Sequence, residues 1–181
     1  GGAIVGRGVM MTSPWLVLRS LALVGASAAK AGRAARTGSA MGARVTRHER
    51  KEIGWVPLRV ERNATAMDWF GDILGFDAFE WHEDTFDVPE GAQRILTGEH
   101  CVNQAYVLDG RHLGMQCHVE VNAEMIETWC RIGIEDIDEA IGKSPAVQDA
   151  LTIRSLALQN LTPLTAAASR LYTRWIAGLK A

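Results

Sequence analysis

The chain has 181 residues, nearly half of them apolar (48%), and a formal net charge of −2, enough for one domain with a single core. That balance calls for neither nucleic acid nor lipid as a partner, and no run of about 18 charge-free apolar residues exists to span a membrane. Three cysteines (Cys101, Cys117 and Cys130) form no C-x-x-C pair, and their odd number speaks for reduced thiols in a cytoplasmic protein.

Charge is unevenly spread. Residues 1–48 hold seven basic residues and no acid, whereas the remainder holds 12 basic and 21 acidic residues, a charge of −9. Three readings fit such a break. Leu16 to Ala26 followed by Ala26-Ser27-Ala28 has the outline of a targeting segment, although Arg19 interrupts its apolar run. A basic interaction face is a second reading. The favoured one is a degenerate remnant of a domain's first half, because the acid-free Ala/Gly/Arg texture of Arg33 to Ser39 is what a GC-rich gene gives out of frame.

In chain order, Ala3-Ile4-Val5 reads as a short strand, Pro14 to Lys30 as a helix with Pro14 in its first turn, and Arg33 to Ser39 as loop. Gly54 to Arg62 reads as a strand, with Pro57 marking an edge or a bulge. Ala66 to Leu74 has the pattern of a short helix capped by Thr65 or Asn63. Phe76 to His82 alternates as a half-buried strand, and Asp87 to Gly91 is turn chemistry. Cys101 to Leu108 and His112 to Val119 form two strands joined by Asp109-Gly110, a hairpin signal. Asn122 caps a helix to about Ile132, with Met125, Ile126, Trp129 and Cys130 as its buried stripe. Two helical stretches follow, one marked by Leu151 to Leu161 and one by Leu164 to Leu179. Strands mixed with helices and a late hairpin point to an α/β domain with an antiparallel edge.

The chemistry concentrates at Gly114-Met115-Gln116-Cys117-His118-Val119-Glu120. On a strand, His118 and Glu120 share one side while Cys117 and Val119 face the other. A carboxylate two residues from an imidazole can accept its N–H, fix its tautomer and stabilise its charged form. H-x-E alone is weak evidence. It gains weight from Glu52-Ile53-Gly54-Trp55, Trp81-His82-Glu83-Asp84-Thr85-Phe86-Asp87-Val88-Pro89 and Asn103-Gln104-Ala105-Tyr106, which precede it in order. Together, from Lys51 onward, these segments resemble the class I glutamine amidotransferases, in particular stand-alone members similar to the amidotransferase part of GMP synthase. The closing Leu171-Tyr172-x-Arg174-Trp175 resembles the tail of that subgroup.

The resemblance implies a flavodoxin-like doubly wound sheet with its site at the carboxyl ends of the strands, an incomplete N-terminal half and a C-terminal helical tail. It divides the chain into a remnant at 1–40, the C-terminal half of the amidotransferase domain at 41–133, and a helical extension at 134–181. It also implies glutamine as substrate and ammonia passed to a synthetase or other acceptor, with no metal or organic cofactor. His118 would protonate the leaving ammonia and then activate water, with Glu120 as its orienter. The family's Gly-x-Cys-x-Gly elbow is missing: the expected place, Lys30 to Ser39, has no cysteine, and no glycines flank Ser39 in the required pattern. Cys101, Cys117 and Cys130 read as small core residues, with a relocated Cys101 as the rival. His82 reads as structural, in a loop beside the site. An impaired hydrolase with a loosely packed N-terminal third is expected, and the rival is a module that keeps the fold only to bind.

Overall fold

The structure, a computed structural model, describes residues 43–179. The readings made for Ala3 to Ser39, and the doubly wound half expected there, lie outside the described residues. Five strands make one antiparallel sheet in the order β2-β1-β3-β4-β5. They are β1 (Val45–Val60), β2 (Gly75–Phe86), β3 (Gln93–Gly98), β4 (Ala105–Leu108) and β5 (His112–Met115). Four helices accompany them: α1 (Ala64–Phe70), α2 (Ala123–Ile132), α3 (Ile134–Ala140) and α4 (Ala150–Gly178). The mixed α/β class, the antiparallel strands and the C-terminal helix agree with the sequence reading.

Strand β1 is longer than expected and lies inside the sheet. Its backbone N–H groups at Ile53 and Trp55, and that of Glu61 just past its end, point away from β2, toward Ala146, the Gln148 side chain and Ile95. Pro57 faces the same way, between the Gln148 contact and the first β3 pair at Leu58, where no donor is required. The register shift in β1 falls between Arg47 and Glu52 instead of at Pro57.

Helix α1 begins where Asn63 Oδ1 accepts from Ala66 N at 2.8 Å, which selects Asn63 over Thr65 as the cap. It stops at Phe70, short of the expected Leu74, because Gly71 turns the chain at φ 66°. Asn122 caps α2 as expected, accepting from Met125 N at 2.9 Å. The hairpin between β4 and β5 turns through Asp109 and Gly110, both at positive φ. Its strands are shorter than the sequence suggested, starting at Ala105 and ending at Met115.

The two expected tail stretches are one helix, α4, running through Pro163. Burial explains the continuity: Ile153, Ala157, Asn160, Leu164, Ala168 and Leu171 form a single stripe across the proline. That stripe packs on α1, α2, β1 and β2, and shares one core with Trp55, Phe79, Trp81, Ile126 and Trp129. No helix among the described residues is long and apolar enough to cross a membrane.

Candidate active site

The chain beyond β5 leaves the sheet at Gln116 and next pairs with it at an isolated antiparallel bridge between His118 and Phe79 of β2. There the His118 N–H donates to the Phe79 carbonyl at 2.7 Å. The expected single strand from His112 to Val119 is thus interrupted, and simple alternation does not place these side chains. His118 and Glu120 nevertheless meet: His118 Nδ1 lies 2.8 Å from Glu120 Oε1. Both are partly exposed, at 15% and 24% of their side chains, while Cys117, the residue before His118, is buried in the core. A carboxylate at Nδ1 favours the proton there and leaves Nε2 with the lone pair, the arrangement of a general base.

The imidazole is also fixed from the helical side. Trp129 of α2 stands at 88° to the His118 ring with centroids 4.8 Å apart, and is itself packed on Phe79 and Trp81. Gly133, just after α2, lets Trp81 lie close, because a Cβ there would overlap the indole ring.

Behind this pair lies a buried polar cluster that joins all four sequence motifs. Glu52 on β1 and His82 on β2 are cross-strand partners, with His82 Nε2 2.7 Å from Glu52 Oε2. His82 therefore sits on a strand and not in a loop. Its Nδ1 lies 2.9 Å from the Asp84 carbonyl, and Gln104 Nε2 donates to Glu52 Oε2 at 2.7 Å. Gln116 Nε2 donates to both Cys101 Sγ and the Asn103 carbonyl, each at 2.9 Å. Glu80, fully buried on β2, has an elevated pKa from burial first, then from the negative charges of Glu52 and Glu120.

The three thiols are poorly suited to attack. Burial raises the pKa of Cys101, Cys117 and Cys130, and Cys117 also feels Glu80 and Glu120. Tyr172 of α4 is raised too, by burial and then by Glu120 and Cys117, which locates α4 against the same group of residues. Sequence reasoning named Glu52 and Gln104 inside motifs without giving them a role, and it overlooked Glu80. The only signal was a charge where a buried strand calls for an apolar residue.

No family model matches the chain. Over 109 residues it is 28% identical to the glutamine amidotransferase-like protein YfeJ of Salmonella typhimurium, covering 59% of this chain and 45% of that protein. A glutamine amido transferase from Methylobacillus flagellatus superposes with a TM-score of 0.77 at 40% identity, over 80% of this chain and 59% of that one. A glutamine amidotransferase from Thermotoga maritima gives 0.68 at 25% identity, over 79% and 59%. The chain spans about half of the curated relative it matches and about three-fifths of these solved structures.

Proposed function

We infer that this chain, a class I glutamine amidotransferase-like protein, carries the His–Glu arm of a glutamine-hydrolysing site and is impaired in turnover because no cysteine stands where the attacking sulfur belongs. The observation that carries the reading is the His118–Glu120 pair, 2.8 Å apart and braced by Trp129. In such a site a thiolate attacks the side-chain amide carbon, the imidazolium gives its proton to the departing ammonia, and the neutral imidazole then takes one from water. His118 has the geometry for both transfers, with Glu120 as its positioning residue. The proposed extent of this half-domain is residues 41–133, preceded by a remnant at 1–40 and followed by the helical extension 134–181.

Glutamine is the substrate this reading assigns, and a synthetase of the GMP synthase kind is the class of ammonia acceptor. Three unpaired thiols support a cytoplasmic setting. The second reading, a module that keeps the fold to bind glutamine or a partner without turnover, is favoured by the buried thiols with raised pKa. One experiment separates the two. Glutamine is titrated into the full chain while the His118 ring resonances are followed and ammonia is measured. Perturbed His118 signals without ammonia support the binding module, and ammonia release lost in His118→Ala supports the impaired hydrolase. Unchanged His118 signals together with no ammonia would overturn glutamine as the ligand.

A further inference from the structure

The cluster behind the His118–Glu120 pair has a donor set that glutamine chemistry leaves unused. One carboxylate oxygen of Glu52, one ring nitrogen of His82 and Cys101 Sγ all lie within 4.8 Å of one another, and all three residues are buried. They come from β1, β2 and the segment ahead of β4, so the grouping is tertiary. Glu52 Oε1 and both oxygens of Glu80 have no hydrogen-bond partner among the described residues. His82 is the only ion-pair partner of either carboxylate there, at 2.7 Å from Glu52 and 3.5 Å from Glu80. Two buried carboxyl groups beside one imidazole thus keep acceptor oxygens that no donor among the described residues satisfies.

We propose that this cluster is a structural cation site that takes a zinc-class divalent ion on Glu52, His82 Nε2 and Cys101 Sγ. Mixed sulfur, nitrogen and oxygen donors suit zinc and disfavour magnesium or calcium, which prefer all-oxygen shells. The outer contacts fit as well. Donation from His82 Nδ1 to the Asp84 carbonyl turns the Nε2 lone pair toward the site, the usual support for a ligating histidine. Gln104 Nε2 holds Glu52 Oε2, while Thr85 Oγ1 at 3.3 Å and Gln116 Nε2 at 2.9 Å steady the sulfur. Zinc–ligand lengths of about 2.0–2.3 Å put tetrahedral donors roughly 3.3–3.8 Å apart, so no pair has to close by more than about 1.5 Å. On binding, the Cys101 thiol and the His82–Glu52 hydrogen bond each give one proton to solvent, as metal–sulfur, metal–nitrogen and metal–oxygen bonds form in their place. The ion would tie β1, β2 and the approach to β4 at one point. The inference stands apart from the glutamine reading.

The test uses the full chain, stripped with chelator and titrated with Co²⁺ and, separately, Zn²⁺. Expected are one equivalent bound, a thiolate-to-cobalt charge-transfer band, a rise in melting temperature with Zn²⁺, and Zn²⁺ protection of Cys101 alone from the slow alkylation by a small reagent that local opening allows, mapped by mass spectrometry. Cys101→Ser should abolish the band and weaken Zn²⁺ binding by at least about 10-fold. Cys117→Ser, Cys130→Ser and His100→Ala should leave both intact. If Cys101→Ser does not fold, the parent's band and the mapped protection decide the matter. Absence of the band, a band surviving in Cys101→Ser, or Zn²⁺ binding that leaves Cys101 open to alkylation overturns the site.

Discussion

The indole of Trp129 stands at a right angle to the His118 imidazole, so α2 closes one side of a ring whose Nδ1 is held by Glu120. Two independent elements thus fix the orientation of one nitrogen, Nε2. We expect the neutral ring to carry its proton on Nδ1, visible in long-range proton–nitrogen correlations of the His118 ring. Glu120→Ala should move the population toward the Nε2–H form, the more common one for a free imidazole, while Trp129→Leu should keep the Nδ1–H form with a broader ring signal. An Nε2–H majority in the parent chain would contradict the positioning role of Glu120.

Turnover is expected to fail at the sulfur. The chain holds three cysteines, all buried and all with raised pKa. Loss of a nucleophile from a triad removes roughly 10⁶-fold in rate. Ammonia release from glutamine by the full chain should be no more than a residual rate above the buffer blank, lost in His118→Ala, and a glutamine-like electrophile should leave every thiol unlabelled. Release abolished by Cys101→Ser would revive a relocated nucleophile.

The sequence exposed some of this architecture because certain signals are local. The caps at Asn63 and Asn122, the Asp109-Gly110 turn and the α2 stripe each depend on residues within a few positions. Strand β3 escaped because Gln93 to Gly98 is short, with Ile95 and Leu96 buried side by side instead of alternating. Helix α3 is a single acidic stretch whose only buried side chains are Ile137 and Ala140. The two tail stretches, Leu151 to Leu161 and Leu164 to Leu179, are one helix because the buried stripe of α4 continues past Pro163. At the candidate site, the spacing of His118 and Glu120 was readable, but the Glu52–His82–Gln104 cluster was not. Its hydrogen bonds span 30 and 52 residues and exist only through strand register.

Gly54 should be intolerant of any side chain. Its φ is 111°, and an added Cβ would run into the Gln148 side chain, which bonds Trp55 N at 2.8 Å and Trp55 O at 3.1 Å. Gly54→Ala is expected to cost about 1–3 kcal/mol from backbone strain, with the displaced Gln148 adding to it. In a Gln148→Ala background the same substitution should cost less, since the collision is gone. Equal costs in the two backgrounds, measured by denaturant melts, would show that strain acts alone.

The start of α4 gives a pH dependence with a definite sign. Asp149 accepts from Thr152 N at 2.9 Å and from Thr152 Oγ1 at 2.7 Å, and these hydrogen bonds hold its pKa below the ordinary aspartate value. A carboxylate with a depressed folded pKa adds stability that is complete above its unfolded pKa and is lost as pH falls through the folded one. Asp149→Asn keeps a cap but should flatten this acid-side loss, whereas Asp149→Ala should lower the melting temperature by a few degrees near neutrality. Thermal melts from neutral to strongly acidic pH would show it, and parallel curves for parent and Asp149→Asn would count against the linkage.

Whether the helical extension is an accessory or part of the same folding unit follows from where its apolar stripe goes. Ile153, Leu164 and Leu171 are fully buried, and they enter the same cluster as Phe79 and Trp129, which pack directly on the His118 segment. Truncating one of them leaves a cavity in that shared core, at an expected cost of about 2–5 kcal/mol. Leu164→Ala should therefore lower stability in a single transition, followed equally by helix content and by tryptophan fluorescence from the sheet. It should also broaden the His118 ring signal, although Leu164 lies on a different element. If α4 melted first and left the fluorescence of Trp55 and Trp81 unchanged, the extension would be a separate layer laid on a finished half-domain, and the support it gives to α2 and Trp129 would have to come from elsewhere.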